Sequence, residues 1–280
     1  MTIGIIGLCL IGGSLAMSLR RHTSHTVLGR DIDAATMLRA RAVEAIHGDL
    51  TDDNIGQCDL VLVALYPQQC VEAVTALADR FRDGALVIDC AGVKRCVCCQ
   101  LEPLAAGRKW IYIGGHPMAG REFSGFAYAR AELFERASML LCPAADVPIE
   151  ARELAKRFFI EMGFAAVRFC TPEAHDQMIA YTSQLAHVVS GAYVKNPLAA
   201  RHKDFSAGSF RDMTRVARLN ETMWTELFLE NDDLLLPALD DLIARLNGYR
   251  DALAGRDPEA LRAVLREGRL CKEALDEPES

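Results

Sequence analysis

The chain has 280 residues, enough for one large domain or two of moderate size, each with its own core. Hydrophobic residues make up 51% and charged residues 25%, as in ordinary globular proteins, and a net charge of −7 without any basic run excludes a nucleic-acid surface. No apolar stretch approaches the roughly 18 residues of a membrane span, and no basic leader precedes the first strand-like segment, so a cytoplasmic protein with no membrane partner is expected.

Residues 2–7 read as a short buried strand and 7–21 as a glycine-rich turn entering an apolar helix. A turn of this kind lets the backbone approach a pyrophosphate, whose charge rests on the exposed N–H groups of the helix N-terminus. The candidate cofactor contacts are Gly7, Cys9, Leu10, Ile11 and Gly12, with Cys9 standing where a dinucleotide fingerprint usually has its middle glycine. Residues 26–31 read as a second strand ending in Asp31, the acid expected to bind a ribose. A carboxylate repels a 2′-phosphate, so NAD is the expected cofactor; Arg30 is the one feature favouring NADP.

A second helix is expected over 33–44, and apolar runs at 59–65, 85–89 and 110–114 read as further strands with helices between them. Such runs indicate a mostly parallel sheet covered on both faces, a Rossmann-like α/β domain. The last run leads into Gly114-Gly115-His116-Pro117-Met118-Ala119-Gly120-Arg121-Glu122. Its glycines and proline are expected to turn the chain away, leaving His116 at a strand end as a proton acceptor. The ten cysteines are scattered, and several fall in apolar runs, which reads as reduced core thiols. Cys96, Cys98 and Cys99 cluster without a second Cys/His pair at metal spacing, so no metal is expected.

Strands at 138–142 and 165–169 close this half, and beyond Thr171 the pattern is helical: 172–194, 210–218, 221–243 and 258–275. The expected division is a dinucleotide-binding domain at 1–170 and an all-helical domain at 171–280. In the helical half Arg211 and Arg215 lie four apart, on one helix face, where guanidinium forks suit carboxylates. His175-Asp176 and Ser183-Gln184-Leu185-Ala186-His187 follow one another at offsets that fix no single face, so spacing leaves their role open.

With the Gly-His-Pro-Met-Ala-Gly block, the Thr-Ser-Gln-Leu-Ala-His segment and the Phe-Arg-Asp-x-Thr-Arg block behind a Rossmann N-terminus, the chain resembles the prephenate/arogenate dehydrogenase family over nearly its whole length. The resemblance implies NAD-dependent oxidative decarboxylation of prephenate in tyrosine biosynthesis, with His116 as the base and Arg215 on a substrate carboxylate. Arg211, His187, Gln184 and Gly92 are the other substrate-side positions it implies. Gly92 replaces a serine that many relatives carry, and Gln184 replaces a histidine. Relatives dimerise through the helical half, so a homodimer is expected. The motifs do not separate prephenate from arogenate. A β-hydroxyacid type of dehydrogenase, with Lys195 as its lysine, and an NAD-binding sensor without catalysis are the other readings.

Overall fold

The computed structural model describes residues 1–120 and 123–276; Arg121 and Glu122 of the histidine block and the acidic tail at 277–280 lie outside the described residues. The frame is an eight-stranded sheet in the order β3-β2-β1-β4-β5-β6-β7-β8. Its strands are β1 (Thr2–Ile6), β2 (Thr26–Arg30), β3 (Gly48–Asp49), β4 (Leu60–Val63), β5 (Leu86–Asp89), β6 (Ile111–Pro117), β7 (Ser138–Cys142) and β8 (Ala166–Phe169). All neighbours are parallel except β6 and β7.

Alternation along β4 builds two cores. Leu60 and Leu62 pack with Leu15 and Leu19 of α1 (Leu10–His22), Met37 of α2 (Ala34–Ala42) and Phe158 of the later helix Ile149–Glu161. Val61 and Val63 face the other way, toward Val74 of α3 (Pro67–Leu77) and Leu101 of α4 (Arg95–Ala106). Both faces of the sheet are therefore covered, which is why β4 and β5 are buried along their whole length. The chain leaves β1 toward β2 on one side and returns to β4 on the other. That reversal opens a crevice at the carboxyl ends of the strands.

After β8 the described residues form only helices. With Ile149–Glu161 as α5, these are α6 (Pro172–Ile179), a π-helical turn (Ala180–Leu185), α7 (Ala186–Tyr193), a 3-10 turn (Pro197–Arg201), α8 (Gly208–Thr214) running into a 3-10 turn (Arg215–Ala217), α9 (Glu221–Leu229), α10 (Asp232–Ala254) and α11 (Pro258–Asp276). The chain divides into two compact units, Met1–Asn231 and Asp232–Ser280. Within the second, α10 and α11 pack on one another yet leave Leu246, Leu253, Leu265 and Leu270 exposed. No helix among the described residues is long and apolar enough to cross a membrane.

The structure departs from the sequence reading in particular places. Strand β6 does not turn at Gly114 but runs through His116 to Pro117, pairing antiparallel with β7. The glycines serve close approach, not a turn: a Cβ on Gly115 would lie 2.5 Å from the Asp89 carbonyl oxygen. The helix expected at 172–194 contains the π turn at Ala180–Leu185 before α7 resumes. The helix expected at 221–243 breaks at Asn231, whose buried amide donates to the Asp176 carbonyl at 3.0 Å and to Gln184 Oε1 at 2.8 Å. Cys9, Cys99 and Cys271 are exposed, so the thiols are not uniformly core residues.

Candidate active site

The glycine turn sits at the crevice. Gly7 adopts φ +86°, open to glycine, and a Cβ there would lie 2.5 Å from the Ala64 carbonyl oxygen at the end of β4. Cys9 is the N-cap of α1, but no side chain caps the helix and its first turn holds no acid. The N–H groups that open α1 thus keep their partial positive charge toward the crevice. The Cys9 thiol, exposed but partly shielded from water, has its pKa raised by that shielding, then by Asp31 and Asp33, so it stays neutral at ordinary pH. Asp31 follows β2, with Oδ2 accepting the Leu8 N–H at 2.7 Å and Oδ1 the Asp33 N–H at 2.9 Å. The neighbouring Arg30 guanidinium is paired with Asp52 at 2.6 Å.

His116 lies on the same edge. The parallel pairing of β5 with β6 ends at Ile88 and Ile113, and His116 extends beyond it. Behind it Asp89 gathers the Gly115 N–H at 3.2 Å, the Tyr112 hydroxyl at 2.7 Å and the Ala91 N–H at 2.9 Å, and it pairs with the fully buried Lys94. Burial is the largest influence on Lys94 and opposes its charge, but the Asp89 carboxylate, together with Cys98 and Cys70, holds the ammonium pKa above its ordinary value. A charge pair without solvent keeps its place when further hydrogen bonds support it, as the Gly115 N–H, Tyr112 hydroxyl and Ala91 N–H do here for Asp89.

His116 is half-buried, and its Nδ1 lies 2.9 Å from Nε2 of His175, which is buried on α6. Burial, then His175 and then Lys94, hold its pKa well below 6.5, so the imidazole is neutral at ordinary pH. His175 Nδ1 lies 2.7 Å from Asp176 Oδ1. The N–H groups of Lys94 and Arg95, at the start of α4, bond Asp176 at 2.7 and 2.8 Å.

The helical residues separate into two groups. His187 stacks on Trp224 with ring centroids 4.0 Å apart and bonds the Ser183 carbonyl through Nδ1 at 2.8 Å. Its pKa is lowered by burial and, to a smaller extent, by Arg215, which places that guanidinium nearby. Arg211 is a different case. It is exposed, pairs with its own neighbour Asp212 at 4.0 Å and lines a shallow cleft with His202 and Phe210. Arg215 falls past the end of α8 in the 3-10 turn, so the two arginines do not continue one regular helix face. Gln184 is buried, its amide donating to the Leu227 carbonyl at 2.7 Å and accepting from Asn231. A direct substrate contact from Gln184 requires giving up bonds that hold α9 in place. A Cβ on Gly92 would press the Leu227 Cδ2 methyl at 3.0 Å, so a serine there needs Leu227 to give by a few tenths of an ångström. Lys195 lies exposed beyond α7.

Sequence reasoning missed Lys94 and Asp89 as a buried pair beneath His116, and left His175 and Asp176 without a role. Lysine in an apolar run just after an aspartate at a strand end was the only signal for the pair. Nothing local could have shown that α6 brings His175 to β6.

Comparison with known proteins gives a consistent picture. The model for the prephenate dehydrogenase nucleotide-binding domain matches residues 15–168, and that for the prephenate dehydrogenase dimerization domain matches 171–267. A cyclohexadienyl dehydrogenase of Zymomonas mobilis is 31% identical over 283 residues, covering 98% of this chain and 95% of that one. The crystal structure of prephenate dehydrogenase from A. aeolicus, in complex with hydroxyphenyl propionate and NAD+, matches with a TM-score of 0.84 at 27% identity, covering 99% and 98% of the two chains. Synechocystis arogenate dehydrogenase matches with a TM-score of 0.80 at 25% identity, covering 98% of this chain and 100% of that one.

Proposed function

The chain belongs to the prephenate dehydrogenase family, and on that footing we propose that it carries out the NAD-dependent oxidative decarboxylation of prephenate to 4-hydroxyphenylpyruvate in tyrosine biosynthesis. The observation that carries this reading is one sheet edge holding both an uncapped helix N-terminus with its ribose-spaced acid and a neutral histidine.

The residues present fit NAD. Gly7 leaves open a turn that a side chain would close, the opening N–H groups of α1 (Leu10, Ile11 and Gly12) suit an anion because no side chain caps them, and Asp31 retains lone pairs for ribose hydroxyls beyond its two backbone bonds. Pairing of Arg30 with Asp52 takes away the cation a 2′-phosphate would need. NAD bound there supplies the hydride acceptor.

Toward the substrate, His116 takes the proton of the ring hydroxyl while hydride leaves the same carbon. The ring carboxylate then departs as carbon dioxide and restores aromaticity. Positioned general-base catalysis contributes about 10²- to 10⁴-fold. Arg215, near the His187 that packs on Trp224, binds a substrate carboxylate, with exposed Arg211 reaching in only if α8 moves. Gly92 and Gln184 act by shaping the wall, Gly92 through Leu227 and Gln184 through Asn231. Residues 1–170 serve as the cofactor domain and 171–280 as the helical substrate and dimerisation domain. The exposed leucines of α10 and α11 fit a two-fold homodimer, of a cytoplasmic enzyme with no nucleic-acid or membrane partner.

Arogenate differs from prephenate by an amine in place of the side-chain ketone, and the relatives named for arogenate and cyclohexadienyl substrates support it as the second reading. NADH absorbance after adding prephenate or arogenate, each with NAD or NADP, tests both. Faster reduction with prephenate and NAD is expected. Faster reduction with arogenate would install the second reading, and binding of NAD without reduction by either would mean a sensor.

A further inference from the structure

The contacts around His116 also specify which of its nitrogens is free. Asp176 is buried, and although burial opposes its charge, the bond from His175 and the N–H groups of Arg95 and Lys94 outweigh it and lower its pKa. It is therefore an ionised acceptor, and the atom of His175 facing it at 2.7 Å, Nδ1, must carry hydrogen. His175 is 2% exposed, and burial, outweighing the bond to Asp176, lowers its pKa, so it holds one proton. Its Nε2 is then a bare lone pair. The group at 2.9 Å from that lone pair is His116 Nδ1, which must donate. A neutral His116 with its proton on Nδ1 has Nε2 free, and no described residue bonds that atom.

We propose that His175, oriented by Asp176, is the positioning residue that fixes His116 as its Nδ1–H tautomer and so presents Nε2 as the proton acceptor. This rests on the reading of His116 as the base. His175 does not touch the reacting atoms. It accepts one hydrogen bond, and the same bond persists when His116 Nε2 gains the proton, because Nδ1–H still faces His175 Nε2. No second proton has to move. Gly92 offers no hydroxyl to share this task, and Leu227 packs closely beside it. Asp176 in turn is set by the first residues of α4, so the sheet edge, α4 and α6 orient one imidazole together.

The direct test is nitrogen NMR of the unmodified protein labelled with ¹⁵N-histidine, which distinguishes protonated from bare ring nitrogens without any turnover. Hydrogen on Nδ1 of both His116 and His175 above their pKa values is expected. Hydrogen on Nε2 of neutral His116 overturns the proposal. In kinetics, His175→Gln keeps an amide oxygen able to accept the Nδ1–H bond, whereas His175→Phe keeps only the ring shape. His175→Phe should lower kcat by about 10- to 100-fold, part of the usual worth of a general base, with KM changed less than about 3-fold. His175→Gln should recover most of that kcat. Equal losses in the two variants, or a loss confined to KM, would mean that His175 only packs. If His175→Phe fails to fold, as thermal melting would reveal, the NMR result on the unmodified chain decides. An unmodified protein that turned over neither prephenate nor arogenate would overturn the reading of His116 as the base, whereas a turning-over protein with Nε2-protonated His116 overturns the proposal alone.

Discussion

At the glycine turn the site is made of backbone contributed by neighbours in sequence, whereas around His116 it is made of buried side chains brought together from β5, β6, α4 and α6. Gly7, Leu8 and the opening of α1 follow directly from β1, and Asp31 reaches them with one bond to a main-chain N–H. His116 depends instead on two pairs that are local in themselves, Lys94 with Asp89 and His175 with Asp176, but distant from it in sequence and brought to it only by the fold. Substitutions near the turn should therefore change cofactor preference locally. Those near His116 should change chemistry and stability together.

His116→Asn makes the widest gap between the two ends. It removes the titratable nitrogen, and kcat should fall about 10²- to 10⁴-fold with little change in KM, read from initial rates of NADH formation. If His116→Asn keeps near-normal kcat, another group is the base. Asp89→Ala leaves Lys94 charged and unpaired within the protein and should cost about 3–5 kcal/mol in urea unfolding. A cost under about 1 kcal/mol would show that water reaches the pair. Arg215→Ala should raise KM by roughly 10- to 100-fold through loss of a charged hydrogen-bonding partner, leaving kcat less affected. An unchanged KM would remove Arg215 from the carboxylate site. Asp31→Ala, the smallest effect, should reduce the NAD-over-NADP preference by roughly 10-fold, in line with the loss of about 1–2 kcal/mol. Its melting temperature should stay close to that of the unmodified chain, unlike that of Asp89→Ala.

The same contrast explains what could be read from the sequence. The cofactor end was legible because its determinants are local: a strand, glycines, a helix start and an acid closing the next strand. The alternation of apolar runs with helices likewise gave a mostly parallel sheet, which the structure has, along with a helical region after β8. The two-residue strand β3 was too short to leave a pattern. Gly114 and Gly115 misled because glycine signals a turn and a close approach equally well, and here Asp89 and Cys98 come so near that no side chain fits. The π turn at Ala180–Leu185 shifts the helical phase between His175 and His187, so their offset could not be converted into a shared face. Asn231 broke a helix through bonds to residues that sequence cannot bring near it.

Whether a neutral His116 takes the proton is decided by the pH dependence of kcat/KM in the unmodified protein. Only neutral imidazole accepts, and burial, His175 and Lys94 hold the His116 pKa well below 6.5. Activity should therefore remain full at pH 7, persist below 6.5 and be lost only as pH falls through the lowered value, a limb that His116→Asn removes. A limb centred at or above 6.5, or one that survives in His116→Asn, would contradict the assignment of His116 as the base.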